Sequence, residues 1–352
     1  MTKDKGLSLL HKLYETTNLE HKEWLYILTH YTDELAKEAC DLALQVKERY
    51  FGERVYLRGL IEFTNYCHRH CLYCGLRCKN KALSRYRLSE TDILVCCKEG
   101  YNLGYRTFVL QGGEDVAFTD DKIESLVRAI HEHYPDCAIT LSIGERSHDA
   151  YLRFFKAGAT RYLLRHEAAS CDLYEKLHPH MSFQHRIRCL EDLKSIGYQV
   201  GAGFMVGVPG QTLEDLALDL VFLNRLQPHM VGIGPFMPQH DTPLGTFPSG
   251  TINLTTFLLA LVRLMLPDVL LPATTALSTL DTTGRAKGLQ AGANVVMPNL
   301  SPLGVREKYA LYDGKACLGA ESATASCALT NAIHQAGFVA DFSIGHSPRY
   351  KV

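Results

Sequence analysis

Eight short apolar runs, rich in β-branched residues, recur along the chain at 55–64, 107–113, 138–144, 161–167, 200–207, 230–236, 270–276 and 293–299. Between them lie amphipathic stretches such as DKIESLVRAIHEHY, SHDAYLRFFKAG, SFQHRIRCLEDLKSIG and TLEDLALDLVFLNRL. Short buried strands separated by helices argue for parallel βα units. Eight such units predict an α/β fold, a complete (β/α)8 TIM-type barrel, and 352 residues suffice for that barrel with extensions. Residues 1–52 read as an N-terminal helical cap, with a helix start at Thr32 and a stop at Gly52. The barrel is expected over 53–315, and 316–352 as a C-terminal tail packed on it.

In such barrels the chemistry sits at the C-terminal ends of strands. Here those ends are polar. The first run leads directly into a cysteine-rich loop. The others end Gln111-Gly112-Gly113-Glu114-Asp115, carry Thr140 and Ser142, or end Arg165-His166-Glu167, Thr274-Thr275 and Met297-Pro298-Asn299. Six polar ends around one ring describe an enclosed polar site.

The cysteine loop reads Cys67-His-Arg-His-Cys71-Leu-Tyr-Cys74. Iron–sulfur clusters are normally held by four thiolates; three thiols hold three corners of a cubane [4Fe–4S] cluster and leave the fourth iron for a substrate. The alternatives are a zinc site or three unrelated cysteines. Structural zinc takes four ligands, usually in Cys-x2-Cys pairs, and no second pair follows at that spacing. The chain has 12 cysteines, which in a cytosolic enzyme point to metal binding or catalysis rather than disulfides.

A net charge of -1 without a long basic run does not favour nucleic acid. No apolar run reaches the length of a membrane span. The charged start MTKDKGLSLLHKLYE has no signal-peptide core, so a cytoplasmic location is expected.

Several motifs have competing readings. Gly112-Gly113-Glu114 follows a strand, where glycines let the backbone approach a ligand, although Gly-Gly-Glu is also a common turn. Arg165 and Glu167 end an apolar strand, either as a rim pair or as ligand contacts that offset the cost of burying them. Arg186, in the next helix, can grip a carboxylate through its planar fork. Thr274 and Thr275 fit a strand by propensity. The segment 207–212 reads as a structural loop with an N-cap at Thr212. Tyr309 and Tyr312 are expected on one face of a helix.

The triplet spacing resembles the signature of the radical S-adenosylmethionine (SAM) enzymes. The ordered set IEFTNYCHRHCLYCGLR, TFVLQGGED, RYLLRHE, GAGFMVGVPGQT, MVGIGPF, LPATTA and NVVMPN resembles the HydE family of [FeFe]-hydrogenase maturases over about residues 50–315. The resemblance implies one [4Fe–4S] cluster on Cys67, Cys71 and Cys74, with SAM bound to its open iron and cleaved to a 5′-deoxyadenosyl radical. It implies Tyr73 beside the adenine, and Gln111, Gly112, Gly113, Glu114, Thr140, Ser142, Glu167, Arg186 and Met230 around SAM. It implies Arg165, Thr274, Thr275, Met297 and Tyr309 on the side of a small organometallic substrate carrying iron, cysteine, CO and cyanide, with Arg165 and Tyr309 nearest the chemistry. Transient contacts with other maturation proteins and an electron donor are expected.

The chain departs from the family in two places. Some members carry three C-terminal cysteines for a second cluster, whereas here 315–327 holds only Cys317 and Cys327. Two thiols are too few for an ordinary cluster, so one cluster is expected. Gly112 stands where some relatives have serine. Competing readings are a sister enzyme of the biotin synthase or methylornithine synthase type, acting on an organic substrate, and a cluster carrier without radical chemistry.

Overall fold

The computed structural model describes residues 2–315 and 326–351. Three helices open the chain: α1 (Thr2–Thr16), α2 (His21–Thr29) and α3 (Asp33–Phe51). The Thr32 hydroxyl accepts from the Leu35 N–H and caps α3, which stops at Gly52 with φ +61°. An L residue avoids that conformation and glycine does not. Then β1 (Arg54–Leu57), β2 (Gly59–Thr64), α4 (Glu90–Asn102), β3 (Thr107–Gly112), α5 (Asp120–His133), β4 (Ala138–Ser142), α6 (His148–Ala157) and β5 (Arg161–Leu163) follow. Two helices, α7 (Cys171–Leu177) and α8 (Phe183–Ile196), precede β6 (Gln199–Ala202), β7 (Met205–Val206), α9 (Leu213–Leu226), β8 (Met230–Val231) and β9 (Gly234–Pro235). The remainder is α10 (Ile252–Met265), α11 (Thr275–Leu280), α12 (Gly284–Gln290), β10 (Val295–Val296), α13 (Leu303–Arg306), α14 (Ser326–Gln335) and β11 (Val339–Asp341).

Six strands form one parallel sheet in the order β2-β3-β4-β5-β6-β8. A second sheet runs β10-β1-β11 and a third pairs β7 with β9. Single parallel bridges join Met230 to Leu270, Pro272 to Val295 and Leu60 to Asn299. The strands are apolar on both faces, as expected where helices cover a parallel sheet. Helix α10 is buried over most of its surface and packs on α3, so the N-terminal helices and the sheet share one core. No described helix is long and apolar enough to cross a membrane.

The structure differs from expectation in several places. The run 55–64 breaks at Arg58, so β1 and β2 pair with different neighbours. The run 270–276 is not a strand. It makes bridges only at Leu270 and Pro272, and Thr274 then becomes the N-cap of α11; Pro272 has no N–H to donate to a ladder. Tyr309 and Tyr312 lie beyond α13 in turns, not in a helix. The backbone there pairs with the cysteine loop instead: Lys308 O accepts from Asn65 Nδ2, and Leu311 O from the Gly75 N–H. The strand β11 was not expected; it adds to the free edge of β1.

The end of the chain crosses the N-terminal ends of the strands. Ile344 O accepts from Thr107 Oγ1 at 3.0 Å and Arg161 Nη2 at 2.8 Å. His346 Nδ1 lies 2.7 Å from Gln199 Nε2. The opposite, C-terminal strand ends carry the candidate site.

Candidate functional site

The cysteine loop leaves β2 and is held from below by the end of β3. The His68 N–H donates to Glu114 O at 3.1 Å, and Arg69 Nε reaches Glu114 Oε2 at 2.7 Å. Asp115 ties the strand ends together, accepting from Thr64 Oγ1 at 2.7 Å and from Arg87 Nε at 2.6 Å. A Cβ on Gly113 would fall 2.3 Å from Tyr66 O and 2.6 Å from Cys67 Cβ. Glycine is therefore needed for β3 to pass directly under the first cysteine. The side chain of Glu114 is spent on this clamp.

Cys67, Cys71 and Cys74 are free and half-buried. Burial pushes all three thiols up, Cys74 to about 12, and each of Cys71 and Cys74 is pushed further by its neighbours in the trio. Three thiolates crowded in a low-dielectric loop need a positive charge to offset them. Among the described residues no three His, Cys, Asp or Glu side chains are drawn together around a single ion. In a cubane each thiolate binds a different iron, so the ligands need not converge on one point.

Tyr73 is fixed by its hydroxyl, 2.9 Å from His178 Nε2. His178 Nδ1 lies 2.7 Å from Tyr174 O and must donate to it, so Nε2 accepts and Tyr73 donates. Burial lowers the His178 pKa to about 4, which keeps that ring neutral.

Two arginine–carboxylate pairs flank the loop. Arg165 Nη2 bonds Glu167 Oε2 at 2.7 Å. Arg186 does not pair with Glu167. Its Nε bonds Glu145 Oε1 at 2.8 Å, and its Nη1 donates to Arg165 O. Arg69 bonds the other oxygen of Glu145 at 2.9 Å, linking this cluster of charges to the cysteine loop. Glu167 has φ +66°, a strained backbone for an acidic residue and of the kind that gathers at functional sites. Burial works against its ionisation, but the charges of Arg165 and Arg186 and the hydrogen bond from Arg165 outweigh it and hold the carboxyl below the usual range.

Met230 lies in β8, Gly232 follows that strand and Gly234 opens β9. Met230 and Gly232 line a small cavity of about 30 Å³ with Thr140, Met297 and Arg58. Higher up, Arg165 Cδ lies 3.9 Å from the place of a Gly232 Cβ, and Thr274 Oγ1 lies 3.0 Å from that of Gly234. Arg165 and Thr274 thus converge over two glycines. Thr140 Oγ1, Arg165 Nε and Thr274 Oγ1 are buried without a hydrogen-bond partner among the described residues. Thr275 begins α11 and is half-buried.

Gln111 stands opposite Ser142 in register, and its side chain bonds the Tyr309 hydroxyl. Tyr309 is buried on the wall of an open cavity of about 480 Å³. The Lys315 ammonium sits 4.7 Å over its ring and pairs with Glu62. Gly112 packs with its Cα face against Thr64 and Phe63. The expected SAM-side residues Thr140 and Met230 therefore sit deeper, beside Met297, than Gln111, Glu114, Glu167 and Arg186 near the loop. Cys317 lies outside the described residues, and Cys327 is exposed.

Arg69, Glu145, Glu62 and His178 were missed as site residues. Glu145 carries the same signal as Glu167, an acid closing an apolar run. His178 has no local signal.

A Radical SAM superfamily model matches residues 61–223. The [FeFe] hydrogenase maturase subunit HydE of Thermotoga maritima is 47% identical over 277 residues, 79% of each chain. The chain belongs to the HydE-type radical SAM family. The 3-methylornithine synthase of Methanosarcina barkeri is more distant, 31% identical over 89% of each chain. The structure of methylornithine synthase PylB superposes with a TM-score of 0.85 at 28% identity, covering 95% of this chain and 97% of that one. The maturase HydG shares the fold with a TM-score of 0.82 at 17% identity, over 97% of this chain and 77% of that one. Radical SAM membership makes the chain an enzyme and implies a [4Fe–4S] cluster and SAM. The crowded thiols, each pushed up by burial, and the orphaned buried atoms of Thr140, Arg165 and Thr274 fit that pair.

Proposed function

We propose that this chain cleaves SAM and acts on a small organometallic iron species bearing cysteine, CO and cyanide, in assembly of the diiron centre of [FeFe]-hydrogenase. The observation that carries the reading is the 47% identity to HydE across four-fifths of both chains. Cys67, Cys71 and Cys74 hold a single cluster. When bound, the cluster and SAM supply a 5′-deoxyadenosyl radical. The chain's own residues orient and enclose. Tyr73, fixed by neutral His178, offers a ring beside the adenine. Gln111, Gly112, Gly113 and Ser142 line the strand ends below it, while Glu167 and Arg186 face the polar groups of SAM. Arg165 and Thr274, each with an unsatisfied buried donor, take the anionic substrate. Thr275, Met297 and Tyr309 complete that wall.

The three bridges at Leu270, Pro272 and Asn299 support closure of the strands into a complete (β/α)8 barrel, with 1–52 as cap and 316–352 as tail. The single cluster, the electron donor and the other maturation proteins as partners belong to this same reading, as does a cytoplasmic location.

The test is the double variant Thr274→Val, Thr275→Val. It keeps side-chain shape and deletes both hydroxyls. Thr274 makes no side-chain cap bond, so stability should change by less than about 1 kcal/mol. SAM binding should persist while hydrogenase maturation falls sharply. Full maturation by that variant would move the substrate elsewhere. The second reading, a methylornithine synthase-type enzyme, is favoured by the PylB superposition. It would be supported if loss of this protein left the diiron centre intact.

A further inference from the structure

Helix α9 is apolar over most of its length, yet Asp219 sits in its middle and is fully buried. An acid on the core-facing side of a helix costs desolvation and must be matched by partners. The partners of Asp219 all lie on one turn. Its Oδ1 accepts from the Ala169 N–H at 2.6 Å and lies 3.1 Å from His166 Nε2. The Gly203 N–H donates to His166 Nδ1 at 3.2 Å, so Nε2 carries the ring proton and donates to Asp219. His166 is fully buried as well, against the rings of Phe204 and Phe222.

These contacts bracket Glu167. The Glu167 N–H donates to Gly203 O at 3.0 Å. The Ala168 N–H turns back to His166 O at 2.8 Å, across the positive φ of Glu167. A tight three-residue turn of this kind is strained, and it persists only where its surroundings over-determine it. Here they do. Asp219 holds the residue before Glu167 and the second residue after it, while Gly203 holds both His166 and Glu167. The carboxylate that emerges from the turn gives Oε2 to Arg165. Its other oxygen has no hydrogen-bond partner among the described residues.

Burial lifts the Asp219 pKa and lowers that of His166 to about 3. Their contact is therefore a hydrogen bond between neutral groups, and what it supplies is direction. Only Oδ1 of Asp219 is used; Oδ2 is buried without a partner among the described residues.

We propose that Asp219, acting through His166 and the Ala169 N–H, is a positioning residue for SAM: it fixes the turn that presents the Glu167 carboxylate to that cofactor. Released from Asp219, residue 167 relaxes to a negative φ and its Cα–Cβ bond takes a new direction. The proposal rests on the reading that Glu167 faces the polar groups of SAM.

The experiment uses full-length, cluster-loaded protein and measures SAM affinity, melting temperature and cluster absorption. The variants are Asp219→Ala, Asp219→Asn, Glu167→Ala and the combination of Asp219→Ala with Glu167→Ala. Asp219→Ala should weaken SAM binding at least about tenfold, as expected for one lost charge-assisted contact, with cluster absorption kept. Glu167→Ala should weaken it by at least as much. The combined variant should bind no more weakly than Glu167→Ala alone, because one residue acts through the other. Asp219→Asn keeps an oxygen acceptor in place and should retain native SAM affinity. His166→Phe keeps the packed ring and deletes both ring nitrogens; it should also weaken SAM, and it carries the test if Asp219→Ala does not fold. A lower melting temperature with unchanged SAM affinity would overturn the proposal. So would a loss that adds to that of Glu167→Ala, or an Asn variant as weak as the Ala one. Unchanged SAM affinity in Glu167→Ala would instead overturn the placement of Glu167 against SAM, and the proposal with it.

Discussion

The two ends of the strands treat buried arginine in opposite ways. At the C-terminal end Arg69, Arg165 and Arg186 each meet a carboxylate. At the N-terminal end Arg58 and Arg161 meet none; Arg161 bonds Thr107 Oγ1 and Ile344 O, and Arg58 reaches Met230 Sδ and Gly345 O. Burial lowers the pKa of both, Arg58 to about 10. A guanidinium bonded to carbonyls fastens backbone, because each carbonyl would otherwise be an unmet acceptor. Paired charges around orphaned donors leave a site in which a ligand can still exchange partners. The difference teaches that one end closes the fold with the chain's own tail, and the other is kept for something the chain does not contain.

The largest break of this comparison is at the loop. Replacing Cys67, Cys71 and Cys74 together with alanine should abolish cluster absorption and SAM cleavage after anaerobic reconstitution. The apo-protein's melting temperature should hardly move, since the thiols make no disulfides among themselves. A [4Fe–4S] spectrum from that variant would show that other ligands hold the cluster.

The second break is at the tail. Arg161→Leu leaves Ile344 O without its charged donor, and should cost about 3 kcal/mol of unfolding free energy with SAM affinity unchanged. Denaturant titration beside a SAM-binding isotherm measures both. An equal loss of SAM affinity would mean that the two ends are not separable.

The smallest effect is a pH dependence. His178 is buried, and its folded pKa of about 4 lies below its ordinary 6.5. The unfolded chain therefore binds the proton first, so stability is full above about pH 6.5 and falls as pH drops toward about 4. One such ring costs about 1 kcal/mol at pH 5.5. His178→Asn should make the acid limb of the stability curve shallower by that amount. An unchanged limb would mean that His178 is not buried neutral.

Much of this was legible in residue order. Seven of the eight apolar runs contain ladder-paired strand residues, and the caps at Thr32, Gly52 and Thr212 stand where their side-chain chemistry puts them. These signals are local: a period, a cap, a spacing of thiols. The run 270–276 misled because β-branched residues suit both a strand and the start of a helix, and only the missing N–H of Pro272 and its neighbours decide. The pairing of Arg186 with Glu145 was out of reach too. Which carboxylate meets which guanidinium depends on where two helices and two strands come together, 41 positions apart in the chain.

The sequence by itself determined the parallel α/β class, the N-terminal helices and the three-thiol loop, because each is set by neighbours within a few residues. Tertiary structure alone decided that Gly232 and Gly234 clear a path for Arg165 and Thr274, and that the tail covers the N-terminal strand ends. Those facts depend on which distant side chains are brought within bonding distance, and burial then fixes their charge.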